Sequence, residues 1–570
     1  MKHPLLKGAL LALCIMLIGS LGLAEAGQAA AGQEAGRESG ALRVWLKSLG
    51  EPSELTLRLA GSYSIDGNAG LFFERGTEIT ASARNGAVWL RCGGLQMNMG
   101  AGVTLTRHQA DGENGLYIDG SARGNLYCGS LELNAEGAAL QPVLVIDVEE
   151  YLKGVLPFEM NDAFPLEALK AQAVAARTYA LSRRAERGAK NYDLVDTPAD
   201  QVFFGFDPAW QNAAAAVEAT RGVCGRFNGR YAACYYTATN GGQTALPGDV
   251  LSAPGGDAYL NIHDDPYDLE NPLSPVSTLA FRKNLSDAPA QLTQWLAEAA
   301  AERLGAMGYS EETGDIRPDR VISLTPHTTK FGPENRMYQY VRVTYALSAR
   351  PMEPVYTELT FEERIREIFT GVKIEREVVG MKPGAWTQLD EEFTYDLTVY
   401  GQLKNELGMK LSGLDCELVT VIEEEDVFAL QLRRYGHGVG LSQRGAQIMA
   451  GQYGMRCEEI LAFYYPGLTF EAAAFDDEIL PPIPELPAAT PVREPLPEPG
   501  EGESIATVRL STAWSTLNVR SAPSTDAPIL AELKNGVQVV AAKDENGWTR
   551  VRTGSVEGYV SSQYLTVDGG

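Results

Sequence analysis

One carboxylate in this sequence has the setting that proton transfer to a leaving group requires. Glu159 follows Leu156-Pro-Phe and precedes Met160, so its neighbours along the chain are apolar. A carboxyl group in apolar surroundings tends to have a raised pKa and can therefore hold a proton near neutral pH. Cleavage of a glycosidic bond needs such a donor for the leaving oxygen. The spacing alone leaves open the alternative that Glu159 is a solvent-facing carboxylate at the start of a helix.

Two basic residues follow at helical spacing. Lys170 and Arg177 lie seven residues apart, which places them on one side of a helix at a separation of two turns. They can anchor a carboxylate or a hydroxyl-rich ligand, or neutralise Glu159. The alternative is that both belong to a solvated flank beside an apolar stripe.

Two glycine-rich runs, residues 237–244 and 436–446, carry further polar side chains. Glycine at this density permits close approach of backbone to backbone or to a ligand. The candidate residues in these runs are Asn240, Gly242, Thr244, His437, Ser442 and Gln443. Ordinary structural turns are the alternative interpretation of both runs.

Predicted strands and helices surround these candidates and would hold them in place. Short strand-like runs broken by glycines occupy residues 42–148, and the last of them, residues 142–148, has the pattern of a buried strand. A helix is predicted after Pro165, because apolar residues recur there at three- and four-residue spacing. Further helices are predicted over residues 213–219 and 290–304, and a strand over residues 230–238.

Composition and charge restrict the class of protein. The 570 residues carry a formal net charge of −26, which argues against a nucleic-acid partner, because phosphate contacts need a surplus of Lys and Arg. Residues 1–26 predict a signal peptide and hence secretion, with a retained membrane anchor as the alternative. The six cysteines that follow permit either disulfides or scattered buried thiols. The histidines lack metal-ligand spacing, so no metal and no other cofactor is expected.

The rest of the chain divides by composition. Residues 27–41 are predicted to be disordered. Residues 476–504 are proline-rich and acidic, which is typical of an extended linker. Residues 505–568 contain five short strand-like runs separated by turn signals, a pattern that favours a small all-β barrel.

Five ordered motifs resemble those of the stage II sporulation protein D and amidase-enhancer family, and together they frame residues 42–472. They are Y-L-K-G-V-L-P-F-E-M (151–160), A-L-K-A-Q-A-V-A-A-R-T-Y-A (168–180), D-T-P-A-D-Q-V-F-F-G (196–205), T-N-G-G-Q-T (239–244) and G-H-G-V-G-L-S-Q-R-G-A (436–446). The run L-N-V-R-S-A-P at 517–523 and the later G-W and G-Y-V resemble a bacterial SH3-like wall-binding domain.

An α+β fold is therefore expected. It comprises a β-rich part over residues 42–140 and a mixed α/β catalytic domain over residues 141–475, with an insertion near residues 290–430. A small all-β SH3-like barrel over residues 505–568 completes the chain.

The resemblance implies a lytic transglycosylase, which cleaves peptidoglycan between N-acetylmuramic acid and N-acetylglucosamine and leaves a 1,6-anhydro end. The sporulation members act on glycan strands already stripped of stem peptides. The family's catalytic glutamate falls on Glu159. Substrate contacts are implied for Lys170, Arg177, Tyr179, Gln201, Asn240, Gly242, Thr244, His437, Ser442 and Gln443.

Three functions remain in competition. The first is the transglycosylase, a wall-associated enzyme acting on glycan strands in sporulation or wall remodelling. The second is a non-catalytic enhancer of a cell-wall amidase, which would be its partner. The third is a binding module, in which the SH3-like domain holds the wall and the rest is scaffold.

Overall fold

The computed structural model describes residues 38–66, 68–109, 113–188, 190–251, 258–473, 475–476, 480–481, 496–511, 515–553 and 556–567. The predicted signal peptide and most of the predicted linker lie outside these residues. Residues 38–41, expected to be disordered, instead begin two strands. Among the described helices, none is both long and apolar enough to cross a bilayer.

Two packed sheets form the N-terminal part, where the glycine-broken pattern predicts short strands. The first sheet contains β2, β12, β11, β9, β4 and β5 in that order, and the second contains β10, β3, β6, β7 and β8. Leucines and valines from both sheets share one core. The strands are β1 Glu38–Ser39, β2 Ala41–Trp45, β3 Glu54–Leu59, β4 Tyr63–Ile65, β5 Asn68–Phe73, β6 Glu78–Arg84, β7 Ala87–Cys92, β8 Leu95–Asn98, β9 Gly102–Arg107, β10 Leu116–Ile118, β11 Ser130–Glu136 and β12 Ala139–Asp147.

Three helices pack on this core. Helix α1 is Val148–Glu159, α2 is Leu166–Arg187 and α3 is Gln211–Ala219. Asp147 begins α1, because its side chain accepts the N–H groups of the next turn. The sequence did not predict α1, and its Pro157 argues against a helix in isolation. Glu159 is therefore the last residue of a helix, not a residue at the start of one.

A mostly irregular segment follows α2. Its elements are β13 Leu194–Val195, β14 Val223–Phe227, β15 Arg230–Tyr231, β16 Tyr236–Thr237, α4 Pro247–Val250 and α5 Pro266–Glu270. The strand predicted over residues 230–238 is thus wrong in its middle, where the chain leaves the hydrogen-bonded ladder between β15 and β16.

Residues 276–433 enclose a second core of their own, built around Phe281, Val343 and Phe428. Helix α6 matches the helix predicted over residues 290–304. The elements are β17 Val276–Arg282, α6 Ala290–Ala306, β18 Ile316–Thr329, β19 Tyr338–Ala349, β20 Met352–Tyr356, α7 Phe361–Thr370, β21 Val378–Pro383, β22 Thr387–Gln388, β23 Phe393–Thr398, a π-helix Val399–Glu406, β24 Leu418–Glu423 and β25 Val427–Arg433.

The chain then returns to the first core. Strand β26 (Leu441–Ser442) pairs in parallel with β16, and helices α8 (Gln443–Gly451) and α9 (Cys457–Tyr464) pack against α2. Strand β27 (Thr469–Ala472) pairs with β14, and β28 (Phe475–Asp476) pairs with β1. This return brings the second glycine-rich run beside the first.

The C-terminal strands form a small sheet around a third core. The described strands do not close into the expected barrel, and one edge of the sheet, β31, pairs with β8 of the N-terminal part. They are β29 Ser504–Val508, β30 Thr516–Arg520, β31 Ile529–Lys534, β32 Gln538–Ala541, β33 Trp548–Thr553, β34 Val556–Ser561 and β35 Leu565–Val567. Short 3-10 turns occur at Lys47–Leu49, Thr313–Asp315 and Ser562–Tyr564.

The six cysteines from Cys92 to Cys457 are thiols in the structure, and all but Cys92 are buried. Of the two interpretations left open, the structure has scattered thiols. The fold as a whole is the mixed arrangement of helices and sheets that the sequence predicts.

Candidate active site

The Glu159 carboxyl group lies at the end of α1. Part of the residue is exposed to solvent, and protein atoms surround the rest. Burial raises its pKa above the ordinary value. Three donors oppose this shift: the backbone N–H of Val202 and the side chains of Gln443 and Tyr236. The Gln443 Nε2 atom is 3.4 Å from Glu159 Oε2. A carboxyl group so placed keeps its proton more readily than a free one and is held in a fixed orientation.

Tyr236 links Glu159 to a second polar residue. Gln201 donates from Nε2 to the Tyr236 hydroxyl at 3.0 Å, and to the carbonyl of Ala176 on α2 at 3.1 Å. Burial raises the pKa of Tyr236 well above its ordinary value, so the phenol remains protonated and can donate. The order Gln201, Tyr236, Glu159 is thus a chain of hydrogen bonds that ends on the carboxyl group.

The parallel pairing of β16 with β26 explains why Tyr236 and Gln443 meet. Tyr236 lies opposite Leu441 in this pairing, and Ser442 caps the start of α8 by accepting the N–H of Gly445. Gln443 is the first residue of α8. The two glycine-rich runs are therefore joined by backbone pairing. Tyr236, directly before the first run, and Gln443, in the second run, each supply one donor to Glu159.

A small pocket of about 280 Å³ adjoins this group, lined in part by Tyr179, Tyr236 and His437. The Tyr179 and Tyr236 rings are 6.4 Å apart. The His437 Nδ1 atom accepts the N–H of Val439 at 3.0 Å. Burial, with a smaller effect of the Arg434 charge, lowers the pKa of His437 to about 4. The imidazole is therefore neutral at neutral pH, and it is hydrogen-bonded to the Tyr236 backbone.

Asp200, the carboxylate on the wall of this pocket, is already paired. Its two oxygens bind Arg187 at 2.6 and 3.0 Å, and its side chain is completely buried. It also accepts the N–H of Val195. Asp200 thus orders the loop that carries Gln201 and has no lone pair aimed at a ligand.

Arg177 does not reach the site, although the sequence suggested it as a ligand anchor or a partner of Glu159. Its side chain is completely buried and binds both carboxylate oxygens of Glu149. An apolar environment requires an opposite charge beside the guanidinium, and α1 supplies it. Lys170 lies half-buried and pairs with Glu167 at 2.6 Å, one turn earlier on the same helix.

The polar residues of the first glycine-rich run bind other parts of the protein. Asn240 is completely buried, and its backbone N–H and side-chain amide donate to Asp268 and Asp265. Thr244 donates to the Asn261 carbonyl. The Ser442 hydroxyl also donates to Asp268 at 2.6 Å. These side chains fix the two runs against α5, so they position the site without facing it.

Gly242 in the same run permits close packing. Its φ is +97°, and a Cβ atom there would lie 2.6 Å from the side chain of Leu269. Its carbonyl accepts from Arg336. Of the residues predicted to contact substrate, the structure therefore brings Gln201, Gln443, Tyr179 and His437 into the neighbourhood of Glu159.

Sequence reasoning missed Tyr236 and Arg434. Tyr236 stands directly before the first glycine-rich run, at the end of the strand predicted there, and that position was the available signal. Arg434 is completely buried and donates to the carbonyls of Asn240 and Gln243 at 2.9 and 2.7 Å. No pattern in the sequence distinguishes this arginine from a surface residue.

A larger cavity, of about 840 Å³, lies elsewhere. It is lined by Asp147, Glu150, Arg221 and Phe475 among others, and Glu159 is not on its wall. Glu159 is not on the wall of the smaller pocket either, but Tyr236 lines that pocket and donates to the Glu159 carboxyl group, so the smaller pocket is the one connected to this carboxyl group.

Comparison with known protein families covers two segments. Residues 136–225 match the family model described as stage II sporulation protein. The chain carries a stage II sporulation protein domain. Glu159, Arg177 and Gln201 belong to this sporulation-protein domain, whereas His437 and Gln443 lie beyond the matched residues. Residues 515–566 match a bacterial SH3 domain.

Three relatives are similar over parts of the chain. An amidase enhancer of Bacillus subtilis is 28% identical over 326 residues, which is 56% of this chain and 40% of the relative. An uncharacterised protein of Brachyspira hyodysenteriae is 39% identical over 119 residues, 21% of this chain and 32% of that protein. A Bacillus subtilis protein that carries the name N-acetylmuramoyl-L-alanine amidase is 37% identical over 51 residues, 9% of this chain and 10% of that protein. The chain thus spans less than half the length of these relatives.

Proposed function

We propose that this protein is a wall-associated lytic transglycosylase, with Glu159 as its general acid and base. It would cleave the bond between N-acetylmuramic acid and N-acetylglucosamine in peptidoglycan glycan strands, in sporulation or wall remodelling. The observation that carries the proposal is the Glu159 carboxyl group, whose pKa burial raises and which Gln443 and Tyr236 orient. The sporulation-protein domain around it supports a cell-wall role.

One carboxyl group suffices for this reaction. The protonated Glu159 donates to the glycosidic oxygen while the bond from that oxygen to C1 of the muramyl sugar breaks. The resulting carboxylate then accepts the proton of the same sugar's 6-hydroxyl as that oxygen bonds to C1. No water is consumed, and the product carries a 1,6-anhydro ring. A hydrolase would instead need a second carboxylate, and Asp200 in the adjoining pocket is held by arginine.

The surrounding donors fit the two steps. Tyr236 and Gln443 keep the carboxyl group in one orientation, and they stabilise the carboxylate once its proton has left. The neutral His437 holds the Tyr236 backbone. Tyr179 and Tyr236 can offer ring faces to a sugar. Lys170 and Arg177 do not enter this proposal as substrate contacts.

The C-terminal SH3 domain supports attachment to the wall. The sugar polymer would be the substrate of the catalytic domain over residues 141–475, and the SH3 domain would retain the protein on the same material. Secretion follows from this proposal and agrees with the predicted signal peptide, residues 1–26.

A second candidate function is a non-catalytic enhancer of a wall amidase. The name of the Bacillus subtilis relative, an amidase enhancer, favours it. In this case the surface around Glu159 would bind glycan or the amidase without cleaving anything.

Mass spectrometry of soluble products separates the two functions. Purified wild-type protein, Glu159→Gln and the matched control Glu150→Gln would each be given intact peptidoglycan and amidase-stripped glycan strands. Glu150 lies on the same helix in a half-buried ion pair with Lys153. We expect anhydro-muramyl fragments from wild type and Glu150→Gln, and at least about a 100-fold loss with Glu159→Gln. Release from neither substrate by wild type would overturn the enzyme proposal, and stimulation of an added amidase by both wild type and Glu159→Gln would then establish the enhancer.

A further inference from the structure

Arg444 is a cation beside the proposed catalytic carboxyl group, and no carboxylate of the described chain pairs with it. It follows Gln443 on α8, and the Gln443 Nε2 atom is 3.4 Å from Glu159 Oε2. Its side chain donates to the Gln447 amide oxygen at 2.9 Å and to no other described residue. A positive charge without a counter-charge beside a substrate site is available to a negatively charged ligand.

The other lysines and arginines of the five motifs already have partners in the protein. These pairs are Lys153 with Glu150, Lys170 with Glu167 and Arg177 with Glu149. Arg183, on the wall of the pocket that Tyr236 lines, pairs with Asp200 and with Glu186. Among the motif residues, all of which the structure describes, Arg444 is therefore the cation that remains for a ligand.

Two contacts hold the Arg444 guanidinium in place. Its Cζ atom lies over the Phe164 ring, 5.3 Å from the ring centre, and Phe164 belongs to the loop that follows Glu159. Its Nη1 atom donates to Gln447, whose oxygen also accepts from Asn271. The Nε and Nη2 atoms donate to no described residue and are not buried. An arginine stacked on an aromatic ring keeps its in-plane N–H groups, and Nε with Nη2 is an edge that can bind both oxygens of one carboxylate.

We propose that Arg444 binds a carboxylate of the glycan substrate through Nε and Nη2. The inference rests on the proposed function and deepens it, because it names the group by which the muramyl sugar is recognised. Each muramyl residue carries a lactyl group on the same ring whose C1 bond is cleaved. Where the stem peptide has been removed, the lactyl group ends in a free carboxylate. Where the peptide is attached, that group is an amide, and the carboxylates lie further out on the peptide.

The position of Arg444 favours the lactyl carboxylate over those of a peptide. Its charge has no part in the pKa shift of Glu159, so the guanidinium lies to one side of that carboxyl group and not against it. The lactyl group at C3 likewise lies to one side of the C1 bond on the same sugar. A stripped strand carries a negative charge on every muramyl residue, and the net charge of −26 on the protein opposes its approach. Arg444 would offset this repulsion where the strand meets Glu159.

Equilibrium binding to the full-length protein measures this contact without requiring cleavage. Glu159→Gln is the parent protein, and the probe is a fluorescently labelled short fragment of peptide-stripped glycan. We expect Arg444→Met in this background to bind at least about tenfold more weakly, because a charge-assisted pair is lost. Arg444→Lys keeps the charge without the two-point geometry and should recover part of the affinity. Arg456→Met, which removes an exposed arginine at the start of α9, is the matched control and should bind as the parent does.

Two further probes identify the carboxylate. In the first, the lactyl carboxylates of the same fragment are converted to neutral amides. The affinity of the parent should then fall to that of Arg444→Met, whose own affinity should not change. The second probe is a fragment that retains its stem peptides and therefore carries peptide carboxylates alone. A parent that prefers this fragment to the stripped one, with a preference that Arg444→Met abolishes, would assign the contact to the peptide and overturn the lactyl assignment.

Three results would overturn the inference as a whole. The first is a parent that binds no fragment, and the second is equal binding of the stripped fragment by the parent and Arg444→Met. The third is an equal loss in Arg444→Met for charged and amidated fragments, because Arg444 would then act through its packing on Phe164. Failure of the proposed function is a separate result. A wild-type protein that cleaves nothing, but whose binding depends on Arg444 and on the carboxylate, would keep this contact in an enhancer. Cleavage with a KM independent of Arg444 would keep the enzyme and exclude the contact.

Discussion

The Arg177 guanidinium and the Glu149 carboxylate form a two-point ion pair in the interior of the protein, where α1 packs against α2. The Nε–Oε1 distance is 2.9 Å and the Nη2–Oε2 distance is 2.6 Å. Arg177 also donates to the carbonyl of Val223, and Glu149 accepts the N–H of Gly222. The pair therefore joins the helix that carries Glu159 to the helix and the strand behind it.

Removal of one partner should destabilise the fold without altering substrate affinity. Arg177→Met leaves the Glu149 carboxylate buried without a counter-charge, which we expect to cost about 3–5 kcal/mol in the free energy of unfolding. Urea titration measures this loss. The double variant Arg177→Met with Glu149→Leu should recover part of it, because no buried charge remains.

Lys170→Met on the same helix is the control. Its partly exposed pair with Glu167 should contribute less than about 1 kcal/mol. If Arg177→Met kept wild-type stability and instead raised the KM for glycan strands, Arg177 would be a substrate contact after all.

The buried position of Arg177, which the sequence did not predict, has a physical origin. Along α2 alanine occurs on several faces, so the helix is buried on more sides than the apolar stripe shows. A charged residue beside that stripe can then be either exposed or deeply buried, and the sequence does not reveal which. Its partner Glu149 lies 28 positions away on a helix that the sequence did not predict.

Local patterns predicted part of the elements, but they left residues 320–430 without an order and missed the long-range pairing. The strands of the N-terminal part and the helices α2 and α6 follow from periodicity. Helix α1 does not, because Pro157 obscures it, although Asp147 and the two glutamates after it are a start signal. The pairing of β31 with β8 and the meeting of Tyr236 with Glu159 depend on tertiary contacts between residues far apart in the chain, which periodicity cannot encode.

The pH dependence of cleavage should respond to Gln443. The protonated form of Glu159 is the proton donor, so kcat/KM should fall as pH rises through the raised pKa. Gln443→Met removes a donor that stabilises the carboxylate, and the pKa of Glu159 should then rise further. The alkaline limb of the profile, measured with soluble glycan strands, should move to higher pH. Gln452→Leu, at the exposed end of α8, should not move it, and a shift to lower pH in Gln443→Met would contradict the assignment of Glu159.

Acid should destabilise the protein in part through His437. The folded-state pKa of about 4 lies below the ordinary value of 6.5, so between these pH values the unfolded chain binds a proton that the folded chain does not. Stability therefore falls as pH decreases from 6.5 towards 4, by at most about 3 kcal/mol from this residue.

His437→Gln cannot titrate and should lose that part of the acid dependence. Urea unfolding at pH 7, 6, 5 and 4 would show it as a wild-type curve that falls more steeply than the variant curve. At pH 7 both side chains are neutral, so the free energy of unfolding of each protein at that pH is the reference for its values at lower pH. Parallel curves across this range would mean that His437 takes up its proton in the folded protein over the same pH range as in the unfolded chain.

Gly440 and Gly408 provide a matched test of how the second glycine-rich run positions Tyr236. Both residues have left-handed backbones, with φ values of +70° and +74°. A Cβ atom at Gly440 would lie 2.0 Å from the carbonyl oxygen of Tyr235, whereas none of the described heavy atoms lies within 4 Å of one at Gly408. Alanine at either position incurs about 1–2 kcal/mol of backbone strain, and only at Gly440 must the chain also shift.

We therefore expect Gly440→Ala to lose more stability in urea titration than Gly408→Ala. It should also lower kcat/KM, because a shift of Tyr235 moves the Tyr236 hydroxyl away from Glu159. Gly408→Ala should retain wild-type kcat/KM once its folded fraction is taken into account. Equal effects of the two substitutions on both quantities would mean that close packing at Gly440 does not set the position of Tyr236, and that the hydrogen bonds from Gln201 and His437 do so alone.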